Sequence, residues 1–149
     1  MAAKAIAVTL AGVAFGVVAT SVAALAGRIA LAARGLESAL LSRDLALMIA
    51  GGAAAAGLWA LIGLGLGAIV RSQVPAVVGL LAWVLFVENL LIDNAPSIGR
   101  YSPGALGQAL SGLRPETLLA PAWAGLALAA CAAVAIAAGW TTIDRRDVA

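Results

Sequence analysis

From Leu45 to Val70 the chain carries no charged residue, and from Val74 to Val87 it again carries none. Only Arg71-Ser72-Gln73 stands between the two runs. At 1.5 Å per residue the first makes roughly 39 Å of helix, more than the roughly 30 Å apolar core of a bilayer. The second nearly spans that core alone and reaches it by running on to Ile92. In lipid a backbone must satisfy its own hydrogen bonds, so such runs are helices. Two apolar helices joined by Arg71, Ser72 and Gln73 form a membrane hairpin. The second carries Glu88 and Asn89 near its far end, just inside the outer interface. An ionisable group at membrane depth is costly and calls for a reason.

Composition agrees. The 149 residues are 64% hydrophobic and 11% charged, against roughly 45–50% and 25% in soluble domains. A chain of this size has too few interior positions to hide that much apolar surface from water. The expected class is all-α, a polytopic membrane helical bundle forming one transmembrane domain over residues 1–149.

What is missing narrows the chemistry. Without histidine there is no His-ligated metal and no Ser–His catalysis. Cys131 is the only cysteine, so no internal disulfide forms and the thiol reads as inert packing. Lys4 is the only lysine and lies in Ala-Lys-Ala, whereas a phosphate-binding Walker loop ends in Gly-Lys-Ser/Thr. The chain is therefore not expected to be an ATP-hydrolysing enzyme, and no cofactor or metal is expected. A net charge of +2 without a Lys/Arg stripe argues against nucleic acid as a partner.

Four spans are expected, at about 5–27, 45–70, 74–92 and 120–142. Lys4 and Ala24-Leu25-Ala26 would also suit a cleaved leader, but the run from 5 to 27 exceeds the usual apolar stretch of about 7–15 residues. Gly12 and Gly16 form a GxxxG pair, and Gly63 and Gly67 form another. Such pairs let helix backbones approach closely in a membrane, although glycine is common throughout this chain.

Residues 28–44 read as a short amphipathic helix at the interface, with an irregular loop as the alternative. Residues 93–119 hold the turn signals Asp93-Asn94-Ala95-Pro96, Tyr101-Ser102-Pro103-Gly104 and Arg114-Pro115-Glu116. Between them Leu106, Ala109, Leu110 and Leu113 have helical spacing. Two brief helices at the membrane surface, or dipping into it, are expected. Glu88 would anchor this outer segment by accepting backbone N–H bonds where the chain turns, with Arg100 as its charged partner. Trp123 and Trp140 suit the two interfacial belts of the last span.

Four crossings place both termini on one side, with Lys4, Arg71, Arg145 and Arg146. The other side has Arg28, Arg34, Arg43, Arg100 and Arg114, so the balance of positive charge does not decide the orientation. Arg71 in its tight hairpin and the paired Arg145-Arg146 favour cytoplasmic termini.

Taken together, the glycine-rich helix, the Arg71-Ser72-Gln73 turn, the helix ending Val87-Glu88-Asn89-Leu90-Leu91, the Pro/Gly-containing outer segment and the Arg145-Arg146-Asp147-Val148 close carry a resemblance. The chain resembles the C-terminal two-thirds of a permease subunit of the type-2 class of ABC exporters, especially the Ala/Gly-rich actinobacterial kind. The resemblance implies a plasma-membrane protein with both ends cytoplasmic and short outer helices between the last two crossings. It implies a second permease subunit and a separate nucleotide-binding ATPase subunit as partners. Two N-terminal helices and the loop that engages the ATPase are not matched, which implies a truncated or split permease. Two other readings stand beside it: a small membrane scaffold or assembly protein, and an intramembrane enzyme or proton-coupled carrier using Glu88. The residues singled out are Glu88, Asn89, Arg71, Gln73, Gly63, Gly67, Gly12 and Gly16.

Overall fold

A computed structural model describes residues 2–36, 42–70, 73–112 and 118–144. The structure is 90% helical, without a strand among the described residues, and four helices are long and apolar enough to cross a membrane. The protein is an all-α membrane bundle. Several residues read above lie outside the described ones: Glu37, Leu40, Leu41, Arg71, Ser72, Leu113, Arg114, Pro115, Glu116, Arg145, Arg146, Asp147 and Val148.

Helix α1 (Ala2–Ala33) outruns the expected span. Arg28 does not stop it, because the Ala- and Leu-rich stretch that follows favours helix. It stops at Gly35, whose φ of +70° suits a residue without a Cβ. The Gly35 amide donates to the Ala32 carbonyl and the Leu36 amide to the Leu31 carbonyl, both at 3.0 Å, the paired closure of a Schellman turn. The interfacial helix expected over 28–44 is therefore corrected. Residues 28–33 are the end of α1, and Ser42 to Asp44 already belong to α2 (Ser42–Ile69).

Helix α2 is the centre of the bundle, packed against both α1 and α7 (Pro121–Asp144). Both contacts bring backbone to backbone. A Cβ added at Gly12 would lie 2.7 Å from Ala60 Cβ and 2.9 Å from the Ala56 carbonyl oxygen. One added at Gly16 would lie 2.7 Å from Ala56 Cβ and 2.8 Å from Ala53 Cα. Gly12 pairs with Ala60 and Gly16 with Ala53, so α1 and α2 run antiparallel. On the other side Gly65 abuts the Ala135 carbonyl, and a Cβ at Gly139 would meet the Gly65 carbonyl oxygen at 2.8 Å. Gly51 rests on Leu110, near the start of α7, so α7 runs parallel to α2. Gly63 and Gly67 seat no such contact within the chain, since an added Cβ there meets nothing within 4 Å. In that stretch of α2 the close glycine contact falls on Gly65, between the two residues of that motif.

The third crossing is composite: α3 (Gln73–Ala82), a π-turn over Trp83–Val87, and α4 (Glu88–Asn94). Two short helices follow, α5 (Pro96–Gly99) and α6 (Pro103–Leu110). Gly99 backs onto Leu91 and Ile92, so the chain doubles back along α4. Helix α6 then passes from Trp59, against Gly107, towards Met48, against Gly112. Residues 95–112 thus enter and leave from one end of the bundle. Of the two placements expected for these helices, α6 takes the re-entrant one: Ala105, Leu106 and Ala109 are 0%, 1% and 1% exposed. Leu106 packs in a core with Leu128, Ala124 and Ala132 of α7 and Ala55 and Ile62 of α2. Trp123 and Trp140 face away from this core, towards the two ends of α7.

The α1–α2 contact is testable by size alone. Gly16→Val should lower stability by about 1–3 kcal/mol through overpacking, read as thermal unfolding in lipid nanodiscs. Gly27→Val, with nothing within 4 Å of its added Cβ, should leave the transition unmoved. Equal losses at both positions would mean that close approach is not what holds α1 to α2.

Candidate functional site

The site is built around the start of α6. The first N–H groups of a helix have no partner inside it, and in an apolar medium each must find one. Here every one does. The Ser102 amide donates to the Gly99 carbonyl at 3.0 Å. Pro103, in the first turn, has no N–H to satisfy. The Gly104 amide donates to Glu88 Oε1 at 3.0 Å. The Ala105 amide donates to Ser102 Oγ at 3.4 Å, with Ser102 as N-cap in an extended conformation.

Glu88 reaches this point from the first turn of α4, and with Ser102 it is one of the buried polar residues, 3% and 7% exposed. It sits about 9 Å inside the end of its helix at 1.5 Å per residue. Its Oε1 accepts a second bond from Trp83 Nε1 at 3.2 Å. A carboxylate at a helix N-terminus is also favoured by the helix dipole. The other oxygen, Oε2, lies against Gly104, where any Cβ would overlap it. Only glycine lets the carboxylate come this close.

The π-turn makes the Trp83 bond possible. Five residues along a regular α-helix separate two side chains by about 140° around the axis. In this turn the Glu88 amide donates to the Trp83 carbonyl, so one extra residue is taken into the loop of the helix. That residue swings Trp83 and Glu88 towards the same face. Beside them an apolar groove of about 370 Å³ runs between α2 and α3. Trp59, Leu66, Ala76 and Leu80 are among its walls, and Trp83 and Pro103 stand at its Glu88 end.

The other singled-out residues fall elsewhere. Asn89 is exposed and donates from Nδ2 to the Leu85 carbonyl at 2.7 Å, so it closes its own helix turn and does not join Glu88. Gln73 opens α3. Gly63 and Gly67 border a second apolar opening of about 300 Å³ between α2 and α3, and Gly12 and Gly16 belong to the α1–α2 contact. The expected pairing of Glu88 with Arg100 is corrected: the Arg100 guanidinium lies over the Tyr101 ring, 5.0 Å from its centroid. The carboxylate is met by an amide and an indole instead, which need no counter-ion at this depth. Among the described residues no group of three His, Cys, Asp or Glu comes together as metal ligands. Sequence reading missed Trp83, Gly104 and the capping role of Ser102. Ser102-Pro103 did carry a signal, a cap residue followed by proline at the first helical position.

Comparison with family models, with characterised proteins and with solved structures finds no match to this chain.

The anchor can be tested by separating shape from charge. Glu88→Gln keeps an acceptor oxygen for Gly104, whereas Glu88→Ala leaves the Gly104 amide and the Trp83 indole without an acceptor, at about 1–3 kcal/mol each where lipid offers no other. Unfolding in nanodiscs should therefore rank wild type, Gln, then Ala in falling stability. Gly104→Ala should fall between wild type and Glu88→Ala, because its Cβ pushes Oε2 aside while the side chain keeps its acceptor oxygens. If all three variants unfold with the wild type, the contact holds nothing.

Proposed function

We propose that the chain is a membrane-spanning permease subunit of an ATP-binding-cassette exporter, driven by a separate ATPase subunit and paired with a second permease. The observation that supports this reading is segment 95–112. Two short helices stand between the last two crossings, one of them folded back into the bundle. The permeases that the sequence resembles carry their outer helices in that interval. The groove between α2 and α3 adds a lateral apolar opening of the kind a translocation path requires. The tie of Glu88 Oε1 to Gly104 and Trp83 favours an anchoring role for that residue over a proton-carrying one.

In this reading the protein lies in the plasma membrane with its termini and the Arg71 turn cytoplasmic. Residues around Leu36 and the segment 93–119 face outward. In a Cys131→Ser background, a membrane-impermeant thiol reagent on intact cells should label Leu36→Cys and spare Ser72→Cys. The reverse pattern inverts the orientation. Isolation of the tagged chain from its own membranes should recover a nucleotide-binding subunit in stoichiometric amount. Recovery of the chain alone, with no ATP-dependent change in its own behaviour, would leave the scaffold reading in its place.

A further inference from the structure

The geometry points to a register switch: the π-turn at Trp83–Val87 is movable, and the Glu88–Gly104 contact is the latch that holds it. Three observations carry this.

First, the latch depends on the turn. Trp83 and Glu88 share a face only because the helix takes in one extra residue between them. If the helix passes that residue along towards Asn94, the stretch after Trp83 becomes regular. Val87 then occupies the place of Glu88, four residues after Trp83 and on the same face. The carboxylate turns by about 100° about the axis. Gly104 loses its acceptor, and α6 loses its tie to α4.

Second, the stretch that must turn, from Val84 through α4, is held mainly by its own neighbours along the chain. Its main contacts are with α3 before it and with α5 after it, where Gly99 backs onto Leu91 and Ile92. Leu85, Phe86 and Leu90 face outward. Rotation of such a stretch in lipid exchanges one apolar surface for another. Glu88 is the buried side chain of the π-turn and α4, so the latch itself is what resists the turn.

Third, the latch closes the groove. Trp83 and Pro103 together form the Glu88 end of the 370 Å³ opening between α2 and α3. Release would part them and extend the groove towards the end of the bundle from which 95–112 enters. The device therefore couples the twist of one crossing to the length of an apolar path. It does not depend on the permease reading, and its test involves no transport.

The test is amide hydrogen exchange of residues 104–106 in lipid nanodiscs, with helix content checked by circular dichroism. Glu88→Val removes the latch and should speed exchange about tenfold or more, as expected for a lost charged hydrogen bond. Adding Val87→Glu to that variant puts the carboxylate where the regular helix would present it to α6. A movable turn lets the helix settle in the second register, and protection should return to within about threefold of wild type. Deleting exposed Leu85 gives an independent arm. It removes the extra residue while keeping indole and carboxylate on one face, so the latch stays shut and exchange should fall below wild type. If the double variant exchanges as fast as Glu88→Val, the turn is fixed and the switch is refuted. Should the double variant lose helix, the deletion decides: exchange equal to wild type refutes the switch, and slower exchange supports it.

Discussion

A helix that begins inside a membrane exposes N–H groups to a medium with no acceptors of its own, and this constraint organises the end of the bundle that holds residues 95–112. Helix α6 meets it with Ser102 as cap, Pro103 as a residue with no donor, and the Glu88 carboxylate for Gly104. The bond carries consequences in both directions along the chain. It is fitted to glycine at 104, because Oε2 occupies the space a Cβ would take. It also coincides with the π-turn, which brings the Trp83 indole to the same oxygen. A buried carboxylate with two donors and no cation is stabilised by dipoles rather than by an ion pair. That suits a site where a second charge would itself need desolvation.

The remainder of the bundle solves a different problem. Between apolar helices in lipid there is no hydrophobic driving force, so association rests on close packing. Helix α2 achieves it on two faces with small residues: Ala53, Ala56 and Ala60 against Gly12 and Gly16, and Gly65 against Ala135 and Gly139. Leu106 and Leu128 are the largest fully buried side chains. With so few large groups inside, each close backbone contact carries more of the stability, and enlarging one glycine is felt directly.

What could be read from the residues follows from the same physics. The four spans were legible because bilayer thickness sets a minimum apolar length, and Glu88 was legible because it broke such a run. Its partner was not. Arg100 looked plausible on charge, but the acceptor's true partner is a backbone amide, and every residue except proline has one. The π-turn left no mark either, since Trp83-Val84-Leu85-Phe86-Val87 is equally apolar in either register. The GxxxG pairs show how a motif underdetermines a contact. Gly12 and Gly16 face a neighbour, Gly63 and Gly67 face open space, and Gly65 between them abuts α7. Small residues describe a surface, while its partner depends on how neighbouring helices are placed. The end of α1 was misplaced because Arg28 looked like a boundary, although a cation at a helix end can reach the interface along its own stem. The boundary is set by Gly35, where the backbone turns left-handed.

These two modes of attachment divide the molecule. Helices α1, α2 and α7 are joined backbone to backbone along much of their length, and α6 is wedged between α2 and α7 by Leu106 and Ala109. The third crossing is joined to the rest by the bonds at Glu88, by the packing of Gly99 on Leu91 and Ile92, and by its short connection to α2. Distributed dispersion contacts lose energy steeply with small displacements, because each depends on sub-ångström fit. A single hydrogen-bonded latch behaves otherwise: it holds one position and, once open, offers little resistance to further rotation. A bundle built this way has a rigid part and a part with a discrete choice of positions, and the apolar groove lies along the boundary between them. For the proposed transport role that arrangement matters more than the identity of any one lining residue. A path that opens between a fixed wall and a movable one can be gated by the latch alone, without disturbing the packing that keeps the protein folded.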